Sequence, residues 1–199
     1  MERVGGRRTL KYLALGDSYT IGTGASDAAH AWPSIIAARL GAQLTNPAVN
    51  GYTTLDLIRD ELPYVQRIQP DIVSVLIGVN DLVQGRSADE YRRSLTTIYD
   101  ALSGRPVVAV SIPTWSYVPA AADFGGGDRV DRLTRVFNEV ARDQAEGRGY
   151  AWVDLAEAST SGIGSMGWIA SDGLHPGDVQ YAAWAEAIWP AFERAITPG

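Results

Sequence analysis

The chain has 199 residues, a formal net charge of −6 and no cysteine, with 46% hydrophobic and 20% charged residues, which suits one soluble globular domain with a sizeable core. The acidic balance argues against a partner that presents a phosphate backbone or an anionic membrane surface. Without cysteine there is no disulfide, no thiolate metal ligand and no cysteine nucleophile.

Met1–Leu10 carries arginines but no apolar run long enough for a signal peptide, so a cytoplasmic chain is expected. No stretch approaches the roughly 20 apolar residues of a membrane span. Five short apolar runs, read as strands, follow at Leu10–Leu15, Gln43–Val49, Asp71–Ile77, Pro106–Ile112 and Tyr150–Leu155. The third and fourth, IVSVLI and VVAVSI, are continuous rather than alternating, the mark of strands buried on both faces of a parallel sheet. Between the runs lie patterns of helical period. Trp32–Leu40 comes first, then Thr54–Ile68 with Pro63 as a kink, then Ala88–Leu102 behind Ser87 as N-cap. Arg129–Ala145 follows, and Pro176–Ile196 closes the chain with Pro at its first turn and Pro190 as a second kink. Strand–helix alternation predicts one α/β domain over residues 1–199, a parallel sheet covered on both faces with right-handed crossovers. Thr114–Asp128 and Ala156–Ser171 match neither period; such long connections are expected to be functional.

Ligands of parallel sheets bind at the carboxyl ends of the strands, so the polar residues that follow each strand are the ones to read. After the first comes Gly16-Asp17-Ser18, after the second Asn50-Gly51, after the third Gly78-Val79-Asn80-Asp81. After the fifth, beyond its long loop, comes Asp172-Gly173-Leu174-His175-Pro176. Each alone is ordinary turn or cap chemistry. Together they supply a hydroxyl, a glycine amide, a carboxamide, and a carboxylate with an imidazole.

This series resembles the SGNH/GDSL hydrolase family, whose signature Ser, Gly, Asn and His match Ser18, Gly51, Asn80 and His175 in order. Tyr19 departs from the eponymous motif, which has Leu there. The resemblance spans essentially the whole chain. It implies a flavodoxin-like three-layer α/β/α sandwich with sheet order 2-1-3-4-5. It also implies Ser18 as nucleophile, His175 as base and Asp172 as the group that orients it. The amides of Ser18 and Gly51 and the side chain of Asn80 would form the oxyanion hole.

Elementary chemistry agrees with those roles. A serine hydroxyl needs a base within hydrogen-bond reach, and only His30 and His175 are available. A helix start favours negative charge on nearby oxygen. Glycine at 51 permits close backbone approach, Asn80 can donate to an oxyanion, and Asp172 can fix the imidazole tautomer. Asp17 and Asp81 read as structural caps or braces, and His30 as incidental.

Gly162–Gly167 fits G-x-G-x-x-G, but it opens no clear helix after a first strand, so no dinucleotide is expected. With Lys11 the only lysine there is no phosphate-binding loop, and the G-x-S-x-G elbow of α/β-hydrolases is absent. No cofactor and no metal are expected. Tyr19, Tyr52, Trp115, Tyr117 and Trp168 are expected to line the substrate pocket. The reaction expected is hydrolysis of a small carboxylic ester through an acyl-enzyme, with short acyl chains favoured. A carbohydrate O-deacetylase, a thioesterase or lysophospholipase of the same family, and an inactive flavodoxin-like binding protein are the alternatives. Neither nucleic acid nor membrane insertion is expected, and oligomeric state is not legible.

Overall fold

The computed structural model describes residues 8–197, so the expectation read from Met1–Leu10 falls mostly outside the described residues. Strands β1 (Lys11–Gly16), β2 (Gln43–Thr45), β3 (Ile72–Leu76), β4 (Val107–Val110) and β5 (Ala151–Val153) pair in parallel in the order β2-β1-β3-β4-β5. Every residue of β3 and β4 is buried, as their unbroken apolar runs require. A polar pair within this layer, Tyr12 Oη and Ser74 Oγ, is joined across β1 and β3 at 2.7 Å.

Helices α1 (Ser18–Ile21) and α2 (Trp32–Leu40) follow β1, and α3 (Thr54–Asp56) and α4 (Pro63–Ile68) follow β2. After β3 come α5 (Val79–Val83) and α6 (Ala88–Ala101), then α7 (Gly127–Glu146) between β4 and β5, and finally α8 (Asp178–Ile196). Helix α2 packs on β2 and α8; α8 packs on β4 and β5, forming one outer layer. Helices α3, α4, α6 and α7 form the other, with α7 packed on α6, β4 and β5. The sheet order reverses between β1 and β3, which opens a crevice at their carboxyl ends. Among the described residues no helix is long and apolar enough to cross a membrane.

Four expectations shift. The second strand ends at Thr45 rather than Val49, because Asn46 turns its Nδ2 onto the Thr20 carbonyl at 2.8 Å and Pro47 has no N–H to pair. The helix read over Thr54–Ile68 is interrupted by a π-helical segment at Leu57–Glu61, where Leu62 N–H reaches back to Leu57 O. Pro63 then opens α4, where a missing N–H costs nothing. The last helix begins at Asp178, not Pro176; Pro176 instead bridges to Ile169 in an antiparallel contact. Finally, α5, too short to show a period, and the 3₁₀ turn Pro119–Phe124 inside the first long connection have no counterpart in the sequence reading.

Candidate active site

The crevice holds a cavity of about 180 Å³. Ser18, Gly51, Asn80 and His175, from four separate turns, all line it. Ser18 is nearly buried at the first position of α1. Asp17 precedes it as N-cap and takes the Tyr19 N–H at 3.1 Å. Gly51 lies in the turn closed by Tyr52 N–H on Val49 O, with φ +81°, a region that favours glycine. A side chain there would meet nothing within 4 Å, so the peptide borders open space.

Asn80 sits in the first turn of α5, reaching across to the second turn of the site. Its Nδ2 donates to the Tyr52 carbonyl at 2.9 Å and has a long 3.5 Å contact to Asp17 Oδ2. One amide hydrogen thus fixes the side chain, and the other is only weakly engaged. Asp81 is fully buried and braces the same floor. It accepts from Thr54 N–H at 2.8 Å, Thr54 Oγ1 at 2.6 Å and Arg86 Nη1 at 3.0 Å. Burial raises its carboxyl above the usual range, while the Thr54 donors and Arg86 pull against that rise.

His175 approaches from the loop before α8. Its Nδ1 is 2.6 Å from Asp172 Oδ2, and Asp172 Oδ1 accepts the N–H groups of Leu174 and His175, both at 2.9 Å. Partial burial would raise the Asp172 carboxyl, but the His175 ring and the two backbone donors outweigh it and hold the group below the usual carboxylate range. With Nδ1 occupied, Nε2 is the ring nitrogen free to take a proton. Ser18 Oγ has no hydrogen bond among the described residues, and catalytic contacts are often loose before substrate binds.

Two braces were not visible in the sequence. Glu61, at the end of the π-helical segment, is fully buried and its Oε2 accepts the Gly16 N–H at 2.9 Å, beside the turn that carries Ser18. Its Oε1 has no partner among the described residues. Burial pushes Glu61 up to about 8 and Asp17 up to about 7. Gly24, with φ +94°, lies against the base loop: a Cβ there would come within 2.5 Å of Pro176 O and 2.9 Å of His175 Cβ.

Of the five aromatic residues expected in the pocket, Tyr19 and Trp115 line it. Tyr19 stands edge-on to the His175 ring at 6.0 Å and to Trp184 at 5.7 Å, filling the space behind the base. Tyr52, Tyr117 and Trp168 lie outside the lining. The Tyr52 hydroxyl donates to Asp60, and it is the Tyr52 carbonyl that serves Asn80. Tyr117 Oη donates to Ser159 O and accepts from Trp168 Nε1 and Gln180 Nε2, a network that ties the two long connections to α8. The apolar wall is made instead by Val79, Val83, Phe124 and Leu174. The i, i+4 spacing of Val79 and Val83 on α5 was the one signal for it.

A larger hollow of about 420 Å³ lies beside α7 and β5, but none of Ser18, Gly51, Asn80 or His175 lines it, so its size carries no chemistry. Among the described residues no cluster of three or more acidic or histidine side chains could hold a metal ion.

The sequence pattern of the GDSL-like Lipase/Acylhydrolase family matches residues 14–183, from β1 into α8. The chain belongs to that family. No curated protein sequence matches it significantly. The GDSL fold is also shared with solved structures. A lipase/acylhydrolase from Enterococcus faecalis is 22% identical, with a TM-score of 0.76 over 96% of this chain and 99% of that one. A carbohydrate acetylesterase family member from Sinorhizobium meliloti is 17% identical, with a TM-score of 0.75 over 94% and 99%. An extracellular lipase from Streptomyces rimosus is 20% identical, with a TM-score of 0.72 over 94% and 100%. At these identities the likeness is one of fold, and GDSL-like architecture evidently carries more than one substrate class.

Proposed function

We propose that this chain hydrolyses short-chain carboxylic esters through an acyl-enzyme on Ser18. The observation that carries the reading is convergence. Four turns bring Ser18, Gly51, Asn80 and the Asp172–His175 pair, joined at 2.6 Å, to one small cavity.

In this reading His175 Nε2 takes the Ser18 proton as Oγ bonds to the ester carbonyl carbon. Asp172, ionised and bound to Nδ1, holds the tautomer and stabilises the imidazolium. The carbonyl oxygen becomes an oxyanion facing the amides of Ser18 and Gly51 and the weakly engaged hydrogen of Asn80 Nδ2. The tetrahedral state collapses as His175 returns its proton to the departing alcohol oxygen. Water, activated by the same imidazole, then releases the acid and restores Ser18. No step calls for a cofactor or metal, and residues 1–199 act as one domain.

The cavity of about 180 Å³ supports a short acyl group. The test is a burst of p-nitrophenol from p-nitrophenyl acetate, followed by a panel from acetyl to dodecanoyl esters before and after dialysis against a chelator. Fast acetyl-to-butyryl hydrolysis with full activity after dialysis is expected. A maximum beyond about ten carbons would make the chain a lipase or lysophospholipase, since a binding preference of ~0.8 kcal/mol per methylene is graded and would show plainly.

A further inference from the structure

We infer that Phe124 and Val83 form a removable wall that sets acyl-chain length. This rests on the esterase reading above and names the specificity device of the same cavity. The four directions around the reacting carbon decide where the acyl chain lies. Ser18 occupies one, and the oxyanion donors at Gly51 and Asn80 a second. The leaving oxygen must take its proton from His175, which sits with Tyr19 and Leu174. Asn50 lines the cavity beside Gly51, on the oxyanion side; the rest of the lining, Val79, Val83, Trp115 and Phe124, is apolar, so the acyl chain runs onto it.

Beyond that surface lies a second hollow of about 390 Å³, between α5, the Pro119–Phe124 turn and α7. Val83 and Phe124 line both spaces, and they are the only lining residues that the two share. Both border this hollow, which Leu82 and Leu133 line together with Asp123 and Arg129. Phe124 is held in this position by edge-on packing against Trp115, with ring centroids 5.5 Å apart. Both are half-buried, so neither is locked into the core. The chain-length limit is therefore carried by two side chains at a surface turn and a short helix, with room for additional methylenes behind them.

The test measures kcat/KM for acetyl, butyryl, octanoyl and dodecanoyl p-nitrophenyl esters in the wild type, in Phe124→Ala and in Val83→Ala, with fluorophosphonate labelling of Ser18 in each. Val83→Ala keeps the Trp115–Phe124 contact and suits a helix, so it guards against a Phe124 variant that merely disorders the turn. The ratio of octanoyl to acetyl efficiency should rise about tenfold or more in each variant, the scale on which a few methylenes in an apolar pocket discriminate. Phe124→Trp, which thickens the wall, should move the ratio the other way. If Ser18 labels and acetyl ester is cleaved but both alanine variants keep the wild-type profile, the wall is refuted while the esterase reading stands. If the wild type neither labels at Ser18 nor cleaves acetyl ester, the reading itself fails and the wall goes with it.

Discussion

The floor beneath Ser18 and the loop that carries His175 are built in opposite ways. The floor is buried and cross-linked: Asp17, Thr54, Glu61 and Asp81 have no exposed surface, and their hydrogen bonds join β1, α3, α5 and the segment leading into α6. The base loop is exposed on one side, with the Asp172 side chain 44% accessible, and its key contacts span two or three residues. A buried polar network is costly to leave half-satisfied, whereas a solvated local turn is not. The two halves of the proposed reaction centre should therefore fail differently, the floor through folding and the loop through chemistry alone.

Substitutions in the loop give the largest rate effects. His175→Ala should lower kcat by roughly 10⁶ and Asp172→Asn by roughly 10⁴, the usual scales for losing a base and its orienting carboxylate. Their denaturant midpoints should stay close to wild type, since a partly solvated side-chain contact within one loop contributes little to stability. A large midpoint loss in either variant would break the contrast from the loop side. Asp81→Ala tests the floor. It strands the Thr54 donors and leaves the Arg86 guanidinium unpaired, so unfolding should become easier by about 3–5 kcal/mol in urea titrations. An Asp81 variant with wild-type stability would contradict the account.

Asn80 stands between the two. Its Tyr52 contact is structural, and in the proposed reaction its remaining hydrogen would serve the oxyanion. Asn80→Ala should lower kcat by about 10²–10³ with little change in KM, because the donated bond strengthens only as charge develops. Near-normal kcat with a sharply raised KM would make Asn80 a ground-state binding residue.

The smallest effect sharpens the comparison through pH. Glu61 holds its proton more tightly folded than unfolded, at about 8 against an ordinary carboxyl value near 4. The folded state therefore binds more protons between those limits, and this contribution to stability is lost as pH rises through about 8. Glu61→Gln keeps a side-chain oxygen for Gly16 N–H but cannot ionise, so its unfolding midpoint should fall less than wild type between pH 5 and 9. Asp172 has the opposite sign. Its lowered value adds stability that disappears only as pH falls well below neutrality, so it does not limit the reaction near pH 7.

How much of this could be read from the sequence depends on how local the cause is. A parallel sheet covered on both faces followed from unbroken apolar runs alternating with helical periods, and the four signature turns from short motifs after those runs; the sheet order followed only from the family resemblance that those motifs carry. What stayed hidden depends on contacts between distant segments. Glu61 looked like one more charge on a helix, and only the π-helical segment brings its carboxylate under Gly16, 45 residues earlier in the chain. Trp168 and Tyr117 looked like pocket aromatics because they fall in long connections. Their polar tips bond each other and α8 instead. Phe124 and Val83 were missed because a wall is defined by the spaces on its two sides, which no periodicity records.

Covalent capture is the most direct test of Ser18 as the nucleophile of this centre. A fluorophosphonate applied to the intact protein should add once, at Ser18 by peptide mass mapping. Ser18→Ala should remain folded and unlabelled. Labelling of Ser111, Ser165 or any other serine, or undiminished labelling of Ser18→Ala, would contradict the account.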